Sequence, residues 1–497
     1  MTTDNLNPPA QQCSTRKTYQ TAGLWLGPLA GIACMLLPAP VGLGEVGWIT
    51  ASIGMWMAIW WSTEAVPVPV TAIIPLVLFS PLGILPIKQA AAPYANPTIY
   101  LFLGGFILAT ALQKSGLHRR IAFFILSYVS MGARSIILGF MLVSALLSMW
   151  MTNTSTTMML LPIALSIVTT LDLSDQQFSP QEKRNFQLSL LLGIAYAATI
   201  GGMATLVGTP PNAFLAAFMN ETYGMQIDFA KWMLVGIPLT LIMLPIAWLT
   251  LTRWIYPVNF KTPAAAKKRL LEQRKALGKV RPEEWRVGGI FALTALCWML
   301  RPLITKWTGI EGLNDAGIAM LAALSLFLVP AGNQTRQALM QWEDMQVIPW
   351  GILLLFGGGL SLAAAVSTSG LAQWLGESLV NLNTFGLLVL VLSATTLVIF
   401  LTELTSNLAT AATFLPVVSV IALELGASPM VLVVPVTLAA SCAFMLPVAT
   451  PPNAIVFSSG YISIPQMAKA GFWLNILCVG LVTAVSMVIA PMVFAMG

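Results

Sequence analysis

The 497-residue sequence predicts an all-α membrane protein of about 11 transmembrane helices plus two re-entrant hairpins, arranged as an inverted repeat. Three observations predict it. The chain is 57% hydrophobic and only 8% charged, where a soluble domain carries about 25% charged residues. Its apolar residues gather into runs near the roughly 20 residues that span a bilayer. Distinctive stretches of the first half recur in the second. No polar region is long enough to fold as a separate domain, so the chain reads as a single membrane body.

In chain order, residues 1–20 are polar and end in Arg16 and Lys17. They lack the small-residue cleavage site of a secretory signal, so they read as a cytoplasmic tail ahead of a retained first span. Apolar segments follow near 22–39, 45–62, 66–85, 97–112, 186–218, 229–252, 287–303, 315–331, 349–366, 430–458 and 467–496. Two more, 136–170 and 386–422, are rich in Ser, Thr and Asn at their middles and read as hairpins that enter and leave on one side. With the N-terminus in the cytoplasm, this layout puts 20 Lys and Arg inside and four outside, namely Lys88, Lys231, Arg301 and Lys306. That is the bias cytoplasmic loops carry. Ten of the 24 basic residues fall between Arg253 and Arg286, which makes 253–286 a cytoplasmic loop and explains the net charge of +6 without nucleic acid. The five cysteines, Cys13, Cys34, Cys297, Cys442 and Cys478, have no pairing or metal-ligand spacing, and four lie in apolar runs as packing residues.

The repeat is explicit. LFLGGFILATALQKSGL at 101–117 and LFGGGLSLAAAVSTSGL at 355–371 share ten of 17 positions at an offset of 254, which also carries Asn153 onto Asn407 and Pro162 onto Pro416. GTPPNA at 208–213 returns as ATPPNA at 449–454, at an offset of 241. Five crossings separate the two Gly-Gly spans in this layout, so the copies face opposite ways, as in many secondary transporters.

Two motif pairs carry the chemistry. One is the hairpin midpoints, Thr152-Asn153-Thr154 and Ser406-Asn407-Leu408; the other is Thr209-Pro210-Pro211-Asn212 and Thr450-Pro451-Pro452-Asn453. A Pro-Pro pair cannot continue a helix, and a broken helix frees backbone groups that must line protein, ion or water. Gly201 and Gly202 just upstream let a ligand approach the backbone. At a hairpin tip the ending helix offers carbonyl oxygens to a cation, and the starting helix offers N–H groups to an anion. One proline kink, or one Ser/Thr-rich tip that glues helices, would mean little alone; their equivalent placement in both copies favours a site. Glu403 reads as structural, paired with hydroxyls or backbone, because its charge would repel an anion. Glu64 reads as a cytoplasmic span end, and His118, the only histidine, as a solvated boundary residue. A proton relay needs titratable groups, and the residue mirroring Glu403 is Met149. Sodium needs only oxygens, so two symmetric sodium sites suit the pattern. No P-loop is present for ATP-driven transport, and no nucleophile–base set or metal cluster supports an enzyme.

MWMTNTSTTMMLLPIAL, GGMATLVGTPPNA, LTELTSNLATAATFLP and SCAFMLPVATPPNAIVF together resemble the divalent-anion/sodium symporter family, from about residue 45 to the C-terminus. The resemblance implies a homodimer whose moving transport body carries the site past a scaffold by an elevator motion; the lean loops and the lack of a signal suggest a bacterial inner membrane. Scaffold helices would occupy 21–135 and 287–383, and the transport body 136–252 and 384–497. One sodium would be held by Ser148, Thr152, Asn153 and Gly201, the second by Thr402, Thr405, Asn407 and Ala449. Substrate carboxylates would meet Asn153, Thr154, Ser406, Asn407 and Thr450, with Pro451 alongside. Thr152 stands where Ser is commoner. Leu408 stands where some dicarboxylate carriers have Thr, which removes one carboxylate contact. The expected activity is sodium-coupled uptake of C4 dicarboxylates such as succinate, malate and fumarate, with no cofactor. The alternatives are a sodium-independent dicarboxylate exchanger, or a tricarboxylate or sulfate carrier of the same fold.

Overall fold

The computed structural model describes residues 16–130, 132–172, 178–260, 264–310, 312–332, 337–378 and 386–494. Residues 1–15 of the expected tail with Cys13, Lys261 and Arg336 of the charge count, and the expected start of the last region at 384 lie outside them. Among the described residues the secondary structure is helical, apart from one isolated antiparallel bridge between Pro330 and Ala338.

The chain opens with α1 (Thr18–Leu36) and α2 (Glu45–Thr63), which pack together. The expected span at 66–85 is not one helix. Pro67, Pro69 and Pro75 break it into α3 (Val68–Thr71) and α4 (Ile74–Leu78), because proline cannot donate to the helical ladder. Then come α5 (Ile87–Ala91), α6 (Pro97–Ser115), α7 (Leu117–Ser127), α8 (Ala133–Ser148), α9 (Asn153–Asp172), α10 (Pro180–Gly202), α11 (Pro210–Tyr223) and α12 (Phe229–Leu249). The basic α13 (Ala264–Ala276) lies in the central loop, followed by α14 (Pro282–Thr308) and α15 (Asp315–Leu328). The second half runs through α16 (Trp350–Thr368), α17 (Leu371–Ser378), α18 (Leu387–Leu401), α19 (Asn407–Glu424), α20 (Met430–Ala440), α21 (Pro451–Phe457) and α22 (Ile464–Phe494).

The helix boundaries follow from local chemistry. Asn96, Ser179, Asp228 and Asn314 cap α6, α10, α12 and α15, each side chain accepting an otherwise unpaired backbone N–H. The repeated Ser-Gly-Leu ends α6 and α16 alike. Gly116 and Gly370 take φ of +80° and +78°, a left-handed turn that glycine enters without a Cβ clash. Each turn leads into a short amphipathic helix, α7 or α17.

Among the described residues seven helices are long and apolar enough to cross a membrane, and they include α9 and α19, the second arms of the two expected hairpins. The first arms, α8 and α18, are shorter. Both expected broken helices are broken: α10 stops at Gly202 and α11 starts at Pro210, while α20 stops at Ala440 and α21 starts at Pro451.

The packing repeats with the sequence. In the first copy both hairpin arms, α8 and α9, lie on α10; in the second, α18 and α19 lie on α20. The half-helices then exchange partners. α11 packs on α19 and α20, and α21 packs on α9 and α10. This reciprocal exchange ties the two copies into one core. Close approach is set by the shared glycines. A Cβ on Gly104 would fall 2.6 Å from the Ala319 Cβ of α15, and one on Gly358 would fall 2.5 Å from the Ala72 carbonyl.

Candidate functional site: two hairpin tips on two broken helices

The first tip is the turn 149–152 between α8 and α9. The Ser148 hydroxyl, at the end of α8, donates to Asn153 Oδ1 at the start of α9. Thr152 Oγ1 donates to Ser155 Oγ at 2.8 Å and accepts from the Ser155 N–H at 3.2 Å. Asn153, Thr152 and Thr154 are partly exposed, whereas Ser148 is buried. Gly202 lies against Asn153: a Cβ there would sit 2.7 Å from Asn153 Oδ1 and 3.0 Å from the Gly208 carbonyl. One hydroxyl, one amide oxygen and a backbone carbonyl therefore cluster where the tip meets the unwound stretch 203–209. Gly201, one residue earlier, packs against α8, and its carbonyl accepts from the Ala204 N–H at 3.0 Å.

The second tip repeats this arrangement. Thr402 Oγ1, at the position of Ser148, lies 2.9 Å from Asn407 Oδ1 and 2.9 Å from the Ala440 carbonyl, so it can donate to either. Ser406 caps α19 by backbone geometry alone. Among the described residues none bonds to the side-chain hydroxyls of Ser406 or Thr154. The Thr405 hydroxyl is 2.6 Å from Thr410 Oγ1 and within reach of the Leu401 carbonyl. Leu408 is turned into the core at 4% exposure, so its apolar side chain is explained by packing.

The TPPN asparagines were not among the expected site residues, although the sequence signals them by their invariant place in the repeat. Asn212 Nδ2 donates to the carbonyls of Gly202 (3.4 Å), Met203 (3.2 Å) and Thr205 (2.8 Å). Asn453 Nδ2 donates to those of Ala443 (3.2 Å) and Leu446 (3.1 Å), the counterparts of Gly202 and Thr205. Each amide thus holds the shape of its unwound stretch. Both Oδ1 atoms are buried without a donor, as suits an oxygen left for an ion or a water. Thr450 caps α21, accepting from Asn453 N–H at 3.4 Å, and is buried; Pro451 is exposed and Ala449 buried.

Glu403 takes the backbone role expected of it. Its Oε1 accepts from the N–H groups of Phe444 (2.7 Å) and Met445 (2.9 Å) and from Asn475 Nδ2 (2.7 Å), and its Oε2 from Leu446 N–H (3.1 Å). A carboxylate with four donors is held in the membrane by the unwound backbone it organises. In the first copy Met149 has no such side chain; its carbonyl accepts from the Thr205 hydroxyl instead.

His118 corrects the expectation of a solvated residue. It is 7% exposed, with Nδ1 2.9 Å from the Leu112 carbonyl, because the Gly116 turn folds α7 back onto the end of α6. Burial pushes its imidazole below the ordinary value of 6.5, against the opposing pull of that backbone bond. Glu64 is exposed and ends α2 in a left-handed conformation.

A helical membrane protein with two hairpin tips on two broken helices, lined by hydroxyls, amides and backbone carbonyls, belongs to the class of secondary transporters. The comparisons narrow the class. Residues 21–496 match the family described as the sodium:sulfate symporter transmembrane region, and the chain belongs to that family. It is 40% identical over 475 residues to the sodium-dependent dicarboxylate transporter SdcS of Staphylococcus saprophyticus, covering 95% of this chain and 92% of that protein. It is 41% identical over 480 residues to SdcS of Staphylococcus aureus strain MRSA252, covering 96% and 92%. A solved structure of the Alcanivorax borkumensis YdaH transporter, described as having an unusual topology, shares the fold at a TM-score of 0.53 and 13% identity, covering 94% of this chain and 96% of that one.

Proposed function

We propose that this protein carries C4 dicarboxylates such as succinate, malate and fumarate into the cell, coupled to inward sodium. The observation that carries the reading is the duplicated pairing of a helix-end hydroxyl with the amide oxygen of the next helix's first residue, Ser148 with Asn153 and Thr402 with Asn407. The SdcS relatives, named as sodium-dependent dicarboxylate transporters, support it at 40 and 41% identity.

The chemistry follows from what the tips lack. Neither tip motif contains a cationic side chain. A doubly charged dicarboxylate would be met only by hydroxyls, amides and helix N-terminal N–H groups, whose partial charge is about half a unit per helix. Two sodium ions would offset the substrate's charge, which makes cation binding a condition for anion binding. The first ion would be held by Ser148, Thr152, Asn153 and Gly201. Gly208, the counterpart of Ala449 at the repeat offset, lies beside Gly202 on the other side of the break. The second would be held by Thr402, Asn407 and the carbonyl of Ala449, with Thr405 supporting the turn. Substrate carboxylates would meet Asn153, Thr154, Ser406, Asn407 and Thr450, beside Pro451.

In the same reading the protein works as a homodimer in the bacterial inner membrane with its N-terminus inside. Residues 136–252 and 384–497 move as an elevator against 21–135 and 287–383. The reciprocal packing of α11 on α19 and α21 on α9 supports a single moving body.

The deciding experiment is labelled succinate uptake into proteoliposomes with and without an inward sodium gradient. Uptake that requires the gradient bears the reading out. Uptake that needs internal dicarboxylate and ignores sodium would replace it with exchange.

A further inference from the structure

The two tips are equivalent in sequence, yet they are braced by different means. The second is braced by Glu403 and Asn475 on α22. The first has no such carboxylate. Its next residue, Trp150, is mirrored by Leu404, which is 66% exposed and braces nothing. Trp150 instead begins an aromatic column. Its ring stacks on Phe229 of α12 at 5.9 Å and 19°, and Phe229 stacks on Trp298 of α14 at 4.7 Å and 19°. Phe291, two turns before Trp298 on the same helix, meets Trp150 edge-on at 5.2 Å.

The far end of the column is keyed by charge. The Asp315 carbonyl accepts from Trp298 Nε1 at 3.0 Å, and the Asp315 carboxylate accepts from the Phe229 N–H at 2.9 Å. One residue thus fixes the two stacked rings relative to each other. Arg301 bridges Asp315 at 2.8 Å and Asp228 at 3.1 Å, and Asp228 caps the helix that carries Phe229. This network lines a cavity of about 230 Å³ that also reaches Leu206 in the first unwound stretch.

We propose that Trp298 and Phe291, on a helix with no expected ligand, are positioning residues for the first sodium site and act on it through Trp150. Ser148 and Asn153 flank the turn that holds Trp150, so the angle of that ring sets how the hydroxyl and amide oxygen face one another. The inference deepens the proposed sodium coupling and rests on it. In the elevator reading the column joins the moving body to the static one, and so acts in the state described here.

Two measurements on the full-length protein test it. One is the sodium half-saturation of succinate uptake in proteoliposomes. The other is the sodium concentration that half-stabilises the purified protein against heat, titrated against choline, which needs no substrate. Trp298→Ala is expected to raise both sodium values about tenfold, as for the loss of a buried ring contact, with the maximal uptake rate and membrane amount near the parent's. Trp298→Phe, which keeps the stacked ring and loses the bond to the Asp315 carbonyl, falls between Trp298→Ala and the parent, and Leu404→Ala never departs from the parent values. Should Trp298→Ala fail to reach the membrane, Phe291→Ala replaces it with the same expected shift. A lower maximal rate or amount at unchanged sodium values would make the column merely structural and overturn the proposal. So would an equal shift in Leu404→Ala, or a parent protein that sodium does not stabilise. A parent that sodium stabilises but that takes up no succinate would instead overturn the proposed substrate and leave this inference standing.

Discussion

Asn153 and Asn407 each present an oxygen to a helix-end hydroxyl and begin the second arm of a hairpin, at the proposed substrate site. Replacing either with Ala removes a proposed ligand of both sodium and carboxylate. Asn153→Ala and Asn407→Ala should each abolish sodium-driven uptake with membrane amounts unchanged, as read by uptake and by quantitative blotting. Wild-type uptake in either would remove that tip from the site. Asn453→Ala acts differently, because Asn453 touches backbone. It strips the donor from the Ala443 carbonyl, while the Leu446 carbonyl keeps the Ala449 N–H, and an unsatisfied buried carbonyl costs about 1–3 kcal/mol. Thermal unfolding of the purified variant should show that loss alongside weakened transport. His118 gives a pH signature. Its folded pKa lies below the ordinary 6.5, so the folded state favours the neutral ring. The stability it contributes is present above pH 6.5 and declines as pH falls through the folded value. The wild-type unfolding temperature should therefore drop more steeply on acidification than that of His118→Gln.

At the scale of elements, the repeated Ser-Gly-Leu turns and the glycine contacts decide where helices end and how closely they approach. Gly116 and Gly370 sit at positive φ, where an L-residue costs about 1–2 kcal/mol. Gly116→Ala and Gly370→Ala should each lower thermal stability by about that amount, and Gly289→Ala, with open space around it, should change it little. Gly201→Ala is a harsher change, since the new Cβ would fall 2.2 Å from the Ala145 carbonyl. α8 and α10 would have to part, so the variant should reach the membrane in reduced amount and lose uptake. The broken helices follow the same logic in reverse. Pro210 and Pro451 begin new helices where their missing N–H costs nothing, and the stretches ahead of them are held by Asn212, Asn453 and Glu403 rather than by helical bonds.

For the whole molecule, the proposed orientation turns on the basic loop. α13 packs on α7 and α9, and Arg120 bonds the carbonyls of Leu277, Gly278 and Lys279 as well as the Glu284 carboxylate. The loop is thus docked on the first copy and must share its side of the membrane. A cysteine introduced at Lys268 should react with an impermeant maleimide only in inside-out vesicles. Labelling from outside intact cells would invert the proposed topology and, with it, the direction assigned to each hairpin.

The duplicated tips, the broken helices and the family were all legible in the sequence, because proline, glycine and clustered hydroxyls act locally and the repeat displays each of them twice. Periodicity along one chain says nothing of partners distant in sequence. Only the tertiary structure decided that the half-helices exchange copies, that Gly202 lies against Asn153, that Thr405 and Leu408 turn inward, and that His118 is buried. The bracing of the tips was equally hidden. Met149 and Glu403 occupy equivalent positions, and nothing in the linear order says that one tip leans on an aromatic column from α14 while the other hangs from a carboxylate. Local backbone chemistry determines where a membrane helix must break. What holds the broken ends in place depends on which side chains reach them across the fold, and packing alone settles that.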